Sequence, residues 1–230
     1  MEIQKFSHAC IRLSHRGRAL VLDPGNFSPL DRAMADVEAV LITHEHADHL
    51  DIPAVLAVLG ANPQITVYAP GTVAKQVLAA IAASEDVAVS GIETESINTV
   101  EVGEHFSVAG MEISTHGGAH AIIHSSLPRV ANIGYFINEF LYHPGDSYQV
   151  PEGISIKTLL VPLHAPWAKI GETLDFVASV GAAQNFPIHD GLLNERGLSM
   201  FDGHLTRICT AAGAGYQRLG EEPLALDAPS

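Results

Sequence analysis

Thr43-His44-Glu45-His46-Ala47-Asp48-His49 follows directly on an apolar run, residues 37–42, that is rich in β-branched side chains and too short for a helix. The run reads as a buried strand ending at Thr43. Three imidazoles and the Asp48 carboxylate then lie within six residues, just past that strand. Side-chain direction in a strand has a period of two, so His44 and His46 are expected to point the same way and reach one metal ion. Asp48 and His49 fall where the chain turns and can serve a neighbouring ion. The two-histidine zinc-protease helix is excluded, because His44-Glu45 would require a second histidine at position 48, where Asp48 stands.

Upstream, residues 3–6, 10–13 and 19–22 read as short strands separated by turns. Downstream, 52–59 and 72–83 suit helices, with a strand over 65–68 between them. A second set of strands follows at 95–102, 105–108, 112–115, 132–137 and 140–143, with Asn138-Glu139 as a two-residue turn. A strand over 156–161, a helix over 168–180, a strand over 184–187 and a helix over 197–212 complete the pattern. The last ten residues read as a frayed tail. Two strand-rich halves, each followed by helices, predict an α/β fold. Its two sheets pack face to face with helices outside, a four-layer αββα sandwich in one domain over residues 1–230.

The 12 basic and 26 acidic side chains give a formal charge of −14. Such a surface excludes long nucleic acid as a partner, because it cannot neutralise many phosphates. A small-molecule substrate fits better, and even a small anion is allowed where bound divalent cations supply positive charge. The first residues show no charged leader followed by an apolar segment, and no run approaches the roughly 18 apolar residues of a membrane span. The expectation is a cytoplasmic chain with no membrane partner; a homo-oligomer is allowed. Cys10 and Cys209 form no ligand-spaced pair and read as apolar fillers. Histidine is the anomaly: its 13 copies outnumber Lys and Arg combined, and many stand beside Asp, Gly or Pro.

The ungapped His44-x-His46-x-Asp48-His49 is followed by His143-Pro144-Gly145-Asp146 and Pro187-Ile188-His189-Asp190, and preceded by Asp23-Pro24-Gly25. In this order the segments resemble the metallo-β-lactamase superfamily. The small size, without an inserted nucleic-acid-binding domain, is similar to its compact ascorbate-phosphate-lactonase-like branch. The resemblance implies that His44, His46 and a third histidine hold one ion, that Asp48, His49 and His189 hold a second, and that Asp146 bridges them. The third histidine has two candidates on the stretch 117–124. His120 is preferred, because it follows the strand 112–115 by a short Gly-containing turn; His124 is the reserve, or a substrate contact.

Nitrogen and oxygen ligands without thiolates favour one or two Zn2+ ions, with Mn2+ or Fe2+ as alternatives. The implied function is a hydrolase whose metal-bound hydroxide cleaves a small ester, lactone or phosphoester, with Asp48 also orienting the attacking water. The alternative is a non-enzymatic metal-binding sensor on the same fold. Flavin-linked di-iron relatives replace the second motif histidine by glutamate and append a flavin domain, so His46 and the chain length oppose redox chemistry.

Glu45 and Asp190 are candidates for hydrogen bonds that fix imidazole tautomers. His8 reads as a structural imidazole beneath the site or a substrate contact, and stays outside the ligand set. His143 is expected to brace the Pro-Gly-Asp turn and His116 to be an ordinary strand residue. His15, His105 and His204 read as surface positions, while His164 and Trp167 lie on a loop suited to lining a pocket.

Overall fold

Turn chemistry starts the architecture. Arg16-Gly17, Ala109-Gly110 and Asn138-Glu139 all have positive φ at both residues, as tight hairpin turns require. The first joins β2 (Ile11–His15) to β3 (Arg18–Leu22), and the second joins β7 (His105–Val108) to β8 (Met111–Gly117). The third joins β9 (Ile133–Ile137) to β10 (Leu141–His143). Its loop is one residue longer than the expected two: Phe140 N–H closes the turn on the Ile137 carbonyl, and the ladder resumes at Leu141 opposite Ile137.

The computed structural model describes residues 1–226. Besides those strands it contains β1 (Glu2–Lys5), β4 (Ala39–Leu41), β5 (Thr66–Ala69), β6 (Ile97–Thr99), β11 (Thr158–Pro162), β12 (Gln184–Ile188), β13 (Gly215–Tyr216) and β14 (Leu224–Ala225). They form two seven-stranded sheets, ordered β14-β1-β2-β3-β4-β5-β6 and β13-β12-β11-β10-β9-β8-β7. The helices are α1 (Leu30–Ala33), α2 (Ile52–Ala61), α3 (Gly71–Ala82), α4 (Val87–Ser90), α5 (Ile170–Val180) and α6 (Glu195–Ala211). None of them is long and apolar enough to cross a membrane.

Three apolar interfaces make four layers. Strand alternation sends Leu20 and Leu22 of β3 to one side and Val21 to the other. Leu20, Leu22 and Leu41 meet Met111, Tyr135, Leu160 and Phe186 of the second sheet in the central core. Val21 and Val40 pack outward with Val55 and Leu59 of α2 and Val73 and Val77 of α3. On the opposite flank Tyr142, Leu159 and Val161 pack with Phe176 of α5 and Leu205 of α6. This is the αββα sandwich. Tyr135 also links the sheets by a polar bond, its buried hydroxyl donating to the Ile42 carbonyl at 2.9 Å.

In each sheet the strands nearest the site run parallel: β3, β4, β5 and β6 in one, β10, β11, β12 and β13 in the other. Loops leaving carboxyl ends of parallel strands gather at one edge, the usual place for a site in α/β sheets. Residues 42–49, 144–146 and 189–191 leave β4, β10 and β12 in this way.

Two expectations are corrected. The tail is not frayed over its last ten residues, because Leu224 and Ala225 pair with Ile3 and Glu2 of β1 and Leu226 is buried; residues 227–230 lie outside the described residues. The strand before His44 is also shorter than expected, ending at Leu41.

Candidate metal centre

Because β4 stops at Leu41, the pleat does not set the directions of His44 and His46; side-chain bonds in the following loop do. Thr43 donates through N to Asp23 Oδ1 and through Oγ1 to Asp23 Oδ2, each at 2.8 Å, while its carbonyl accepts from Ile133 N–H. The chain thus pinned brings the two imidazoles to 4.7 Å between centroids at 84°, with His44 Nε2 and His46 Nδ1 facing each other across 3.0 Å.

Two groups of potential ligand atoms result, each within 4.8 Å: His44, His46, His120 and Asp146, and next to them His8, Asp48, His49 and His189. Asp146 stands between the groups. Its Oδ1 lies 3.2 Å from His49 Nε2, and its Oδ2 lies 3.3 Å from His120 Nε2 and 3.1 Å from His189 Nε2. The turn that delivers it requires glycine: Gly145 has φ +62°, and a Cβ there would sit 2.3 Å from Asn132 Oδ1. Asn132, fully buried, accepts from Asp146 N–H and donates to the Pro144 carbonyl.

Four of the six clustered imidazoles share one polarity. His49 Nδ1 lies 2.7 Å from Asp23 Oδ2, His120 Nδ1 2.6 Å from the Ala121 carbonyl, and His189 Nδ1 2.7 Å from the His164 carbonyl. His44 Nδ1 faces Thr43 Oγ1, whose own proton goes to Asp23. Each of these Nδ1 atoms therefore donates, so that in the neutral ring the lone pair falls on Nε2. Metal-binding histidines have this arrangement. Burial makes it costly without an ion: the Nε2 atoms of His49, His120 and His189 and Oδ1 of Asp146 are buried without an aligned hydrogen-bond partner. The donor set fits divalent cations that accept nitrogen and oxygen.

Electrostatics within the cluster are strongly coupled. Burial pushes His44 well below the ordinary imidazole value, and nearby His49 adds to the effect. His49 and His189 go the other way: burial opposes their charged forms, but Asp146 outweighs it, helped by Asp23 at His49 and by Asp48 at His189, which reaches about 9. Burial would raise the Asp146 carboxyl, yet the His49 and His189 charges hold it well below the usual range. Asp48 is likewise held low, burial being outweighed by contacts from His189 and His8.

The model of the beta-lactamase superfamily domain matches residues 2–189, a span containing every residue of both groups. The chain belongs to the metallo-β-lactamase superfamily. It is 31% identical over 227 residues to the protein Rv0786c of Mycobacterium tuberculosis, covering 96% of this chain and 98% of that one. Its fold matches Igni18, a metallo hydrolase of the archaeon Ignicoccus hospitalis, with a TM-score of 0.72 at 15% identity over 99% of each chain. It also matches an isothiocyanate hydrolase from Delia radicum gut bacteria, with a TM-score of 0.66 at 15% identity over 99% of this chain and 100% of that one.

Of the two histidines open to the third position of the metallo-β-lactamase pattern, His120 joins the cluster; His124 is exposed and pairs with Ser126. His143 accepts from Gly145 N–H, inside the Pro-Gly-Asp turn, and His116 sits half-buried in β8 beside Ser114. Trp167 Nε1 donates to Asp146 Oδ2 at 2.9 Å, and the His164 carbonyl takes the His189 proton. Asp190 is a correction: it touches no imidazole nitrogen by hydrogen bond, because its carboxylate is taken by the buried Lys5 ammonium. Half-buried Glu45 is likewise absent from the ring partners among the described residues. Asp23 and Asn132 were not anticipated as parts of the centre. Two signals marked Asp23, a carboxylate closing the apolar strand Ala19-Leu20-Val21-Leu22 and its place in the family-like Asp23-Pro24-Gly25 segment, though neither assigned it a role; Asn132 carried none.

Proposed function

We propose that this chain is a metal-dependent hydrolase holding two divalent ions, Zn2+ first among the candidates, and cleaving a small ester, lactone or phosphoester. His44, His46, His120 and Asp146 would hold one ion; Asp48, His49 and His189 would hold the other, with Asp146 shared. When bound, such ions polarise the carbonyl or phosphoryl group under attack and lower the pKa of water towards about 7. The observation that carries the reading is the convergence of buried side-chain atoms without a hydrogen-bond partner, Nε2 of His49, His120 and His189 and Oδ1 of Asp146. The isothiocyanate hydrolase of the same fold, which also acts on a small molecule, lends support.

The chain's own groups divide the remaining work. Asp48 is 24% exposed at its side chain where Asp146 is 3%, so Asp48 is the carboxylate open to solvent and suited to orient the attacking water. A cavity of about 600 Å3 begins at Trp167 and Ala121 and is lined further by Ile122, Arg129, Tyr148 and Glu172. It has the size and mixed polarity of a small-molecule pocket. The formal charge of −14 supports a small-molecule substrate over long nucleic acid or an anionic membrane surface.

The test is metal content per chain by plasma mass spectrometry for wild type, His44→Ala and Asp146→Ala, with turnover on a panel of esters, lactones and phosphoesters. About two ions, reduced in both variants, with metal-stimulated turnover on the panel, is the expected outcome. Two ions without turnover on any member would favour the sensor, and no retained metal after reconstitution would overturn the centre.

A further inference from the structure

We propose that His8 is a positioning residue that holds Asp48, and that it is not a ligand of the second ion although it lies within ligand distance. This assignment presupposes the two-ion hydrolase centre proposed above. Proximity alone would make His8 a fourth ligand, since its ring belongs to the group formed with Asp48, His49 and His189. Ring polarity decides otherwise. Gly191 N–H donates to His8 Nδ1 at 3.1 Å, so Nδ1 holds a lone pair and the ring proton sits on Nε2. That proton faces Asp48 Oδ2 at 3.1 Å in an aligned hydrogen bond. His44, His49, His120 and His189 have the opposite arrangement, with Nδ1 donating and Nε2 as the nitrogen that carries the lone pair in the neutral ring. A nitrogen that carries its proton has no lone pair for a metal, so His8 can orient Asp48 but cannot replace it.

The surroundings fix this orientation. His8 is fully buried, and its carbonyl accepts from His189 N–H at 3.0 Å while its ring accepts from Gly191 N–H. Backbone and side chain are therefore both stitched to the turn that carries His189, and the free end of the ring reaches the loop that carries Asp48. Both partners of the stitch sit in the left-handed region, with φ 46° at His8 and 56° at His189, and Ser7 precedes at 72°. Non-glycine residues are held there only where the surroundings over-determine them. A Cβ at Gly191 would lie 3.1 Å from His8 Nδ1, so a side chain there would crowd the ring.

The test reads the tautomer directly. In 15N-labelled protein, long-range proton–nitrogen correlations of the His8 ring are recorded before and after loading with zinc. The expected result is a protonated Nε2 and an unprotonated Nδ1 in both states; loss of the Nε2 proton with a metal-bound nitrogen shift on loading would overturn the proposal. Glutamine offers an amide N–H donor and a carbonyl acceptor, the two roles that the neutral imidazole fills. His8→Gln is therefore expected to keep wild-type zinc content, while His8→Ala lowers kcat by about tenfold with KM little changed and glutamine restores part of it. Loss of one zinc per folded chain in His8→Gln would make His8 a ligand. Absence of turnover in wild type on every substrate would count against the hydrolase reading alone, because the tautomer and the zinc content are measured without it.

Discussion

Asp23 Oδ2 lies 2.7 Å from Nδ1 of His49, and both side chains are fully buried. The same carboxylate accepts from the amide and hydroxyl of Thr43, the residue that leads into His44. One buried anion therefore sets a ring in each of the two ligand groups: His49 directly, and His44 through the Thr43 hydroxyl. Asp23→Asn keeps the shape but places an amide N–H2 against groups that themselves donate. Zinc affinity, measured by competition with a chelator, is expected to fall about 10- to 100-fold. Unchanged affinity would remove Asp23 from the centre.

Trp167 is the chain's one tryptophan, and its indole N–H donates to Asp146 Oδ2 while the ring packs edge-on against His120 at 5.8 Å. An ion drawn to that oxygen competes with the indole hydrogen bond. Titrating metal-free protein with zinc is therefore expected to change the intrinsic fluorescence in a saturable way, and Asp146→Ala to abolish the response. A silent titration in a chain that demonstrably retains zinc would mean that the indole does not share the carboxylate.

Protons and metal compete at His189. Burial alone would lower its pKa, but Asp146 and Asp48 raise it to about 9, and His49 is raised in the same way by Asp146 and Asp23. An unfolded imidazole titrates at about 6.5. The raised pKa of His189 thus stabilises the metal-free fold fully below that pH, and this contribution is lost as pH rises through about 9. Zinc affinity runs the other way, gaining up to about tenfold per pH unit for each proton displaced. Between these pH values the melting temperature of metal-free protein is expected to fall while the zinc-induced increase grows. Calorimetry in buffers of different ionisation enthalpy counts the released protons; none released at pH 7 would contradict a protonated His189.

The layers were legible in the sequence because alternation and turn residues act locally: Leu20, Val21 and Leu22 choose their faces by the strand period, and Arg16-Gly17 its turn by φ. The cluster was legible because its residues are chemically rare in such density, His44 to His49 above all. What escaped depends on contacts between distant segments. Asp23 meets His49 from 26 residues away, Asn132 braces Asp146 from 14, and His8 meets Gly191 from 183. Asp190 shows the same limit from the other side, since its neighbour His189 suggested a ring partner while a lysine near the first residue took the carboxylate.

That lysine carries the last prediction. Lys5 Nζ donates to Asp190 Oδ2 at 2.5 Å and to the Pro187 carbonyl at 3.0 Å, and the two charged side chains are only 5% and 11% exposed. Burial pulls the Lys5 pKa down, and Asp190 opposes it. The pair clamps the end of β1 to the residues on either side of His189. Lys5→Met removes the cation and leaves a nearly buried carboxylate alone, which is expected to cost about 3–5 kcal/mol in urea denaturation. Lys5→Met with Asp190→Leu removes both charges and is expected to recover most of that loss, since the desolvation of both ions disappears with the pair. A single-variant cost below about 1 kcal/mol would place the pair with solvent-screened surface bridges. Both variants are expected to weaken zinc binding even where stability recovers, because the clamp that holds the His189 turn against β1 is gone in each.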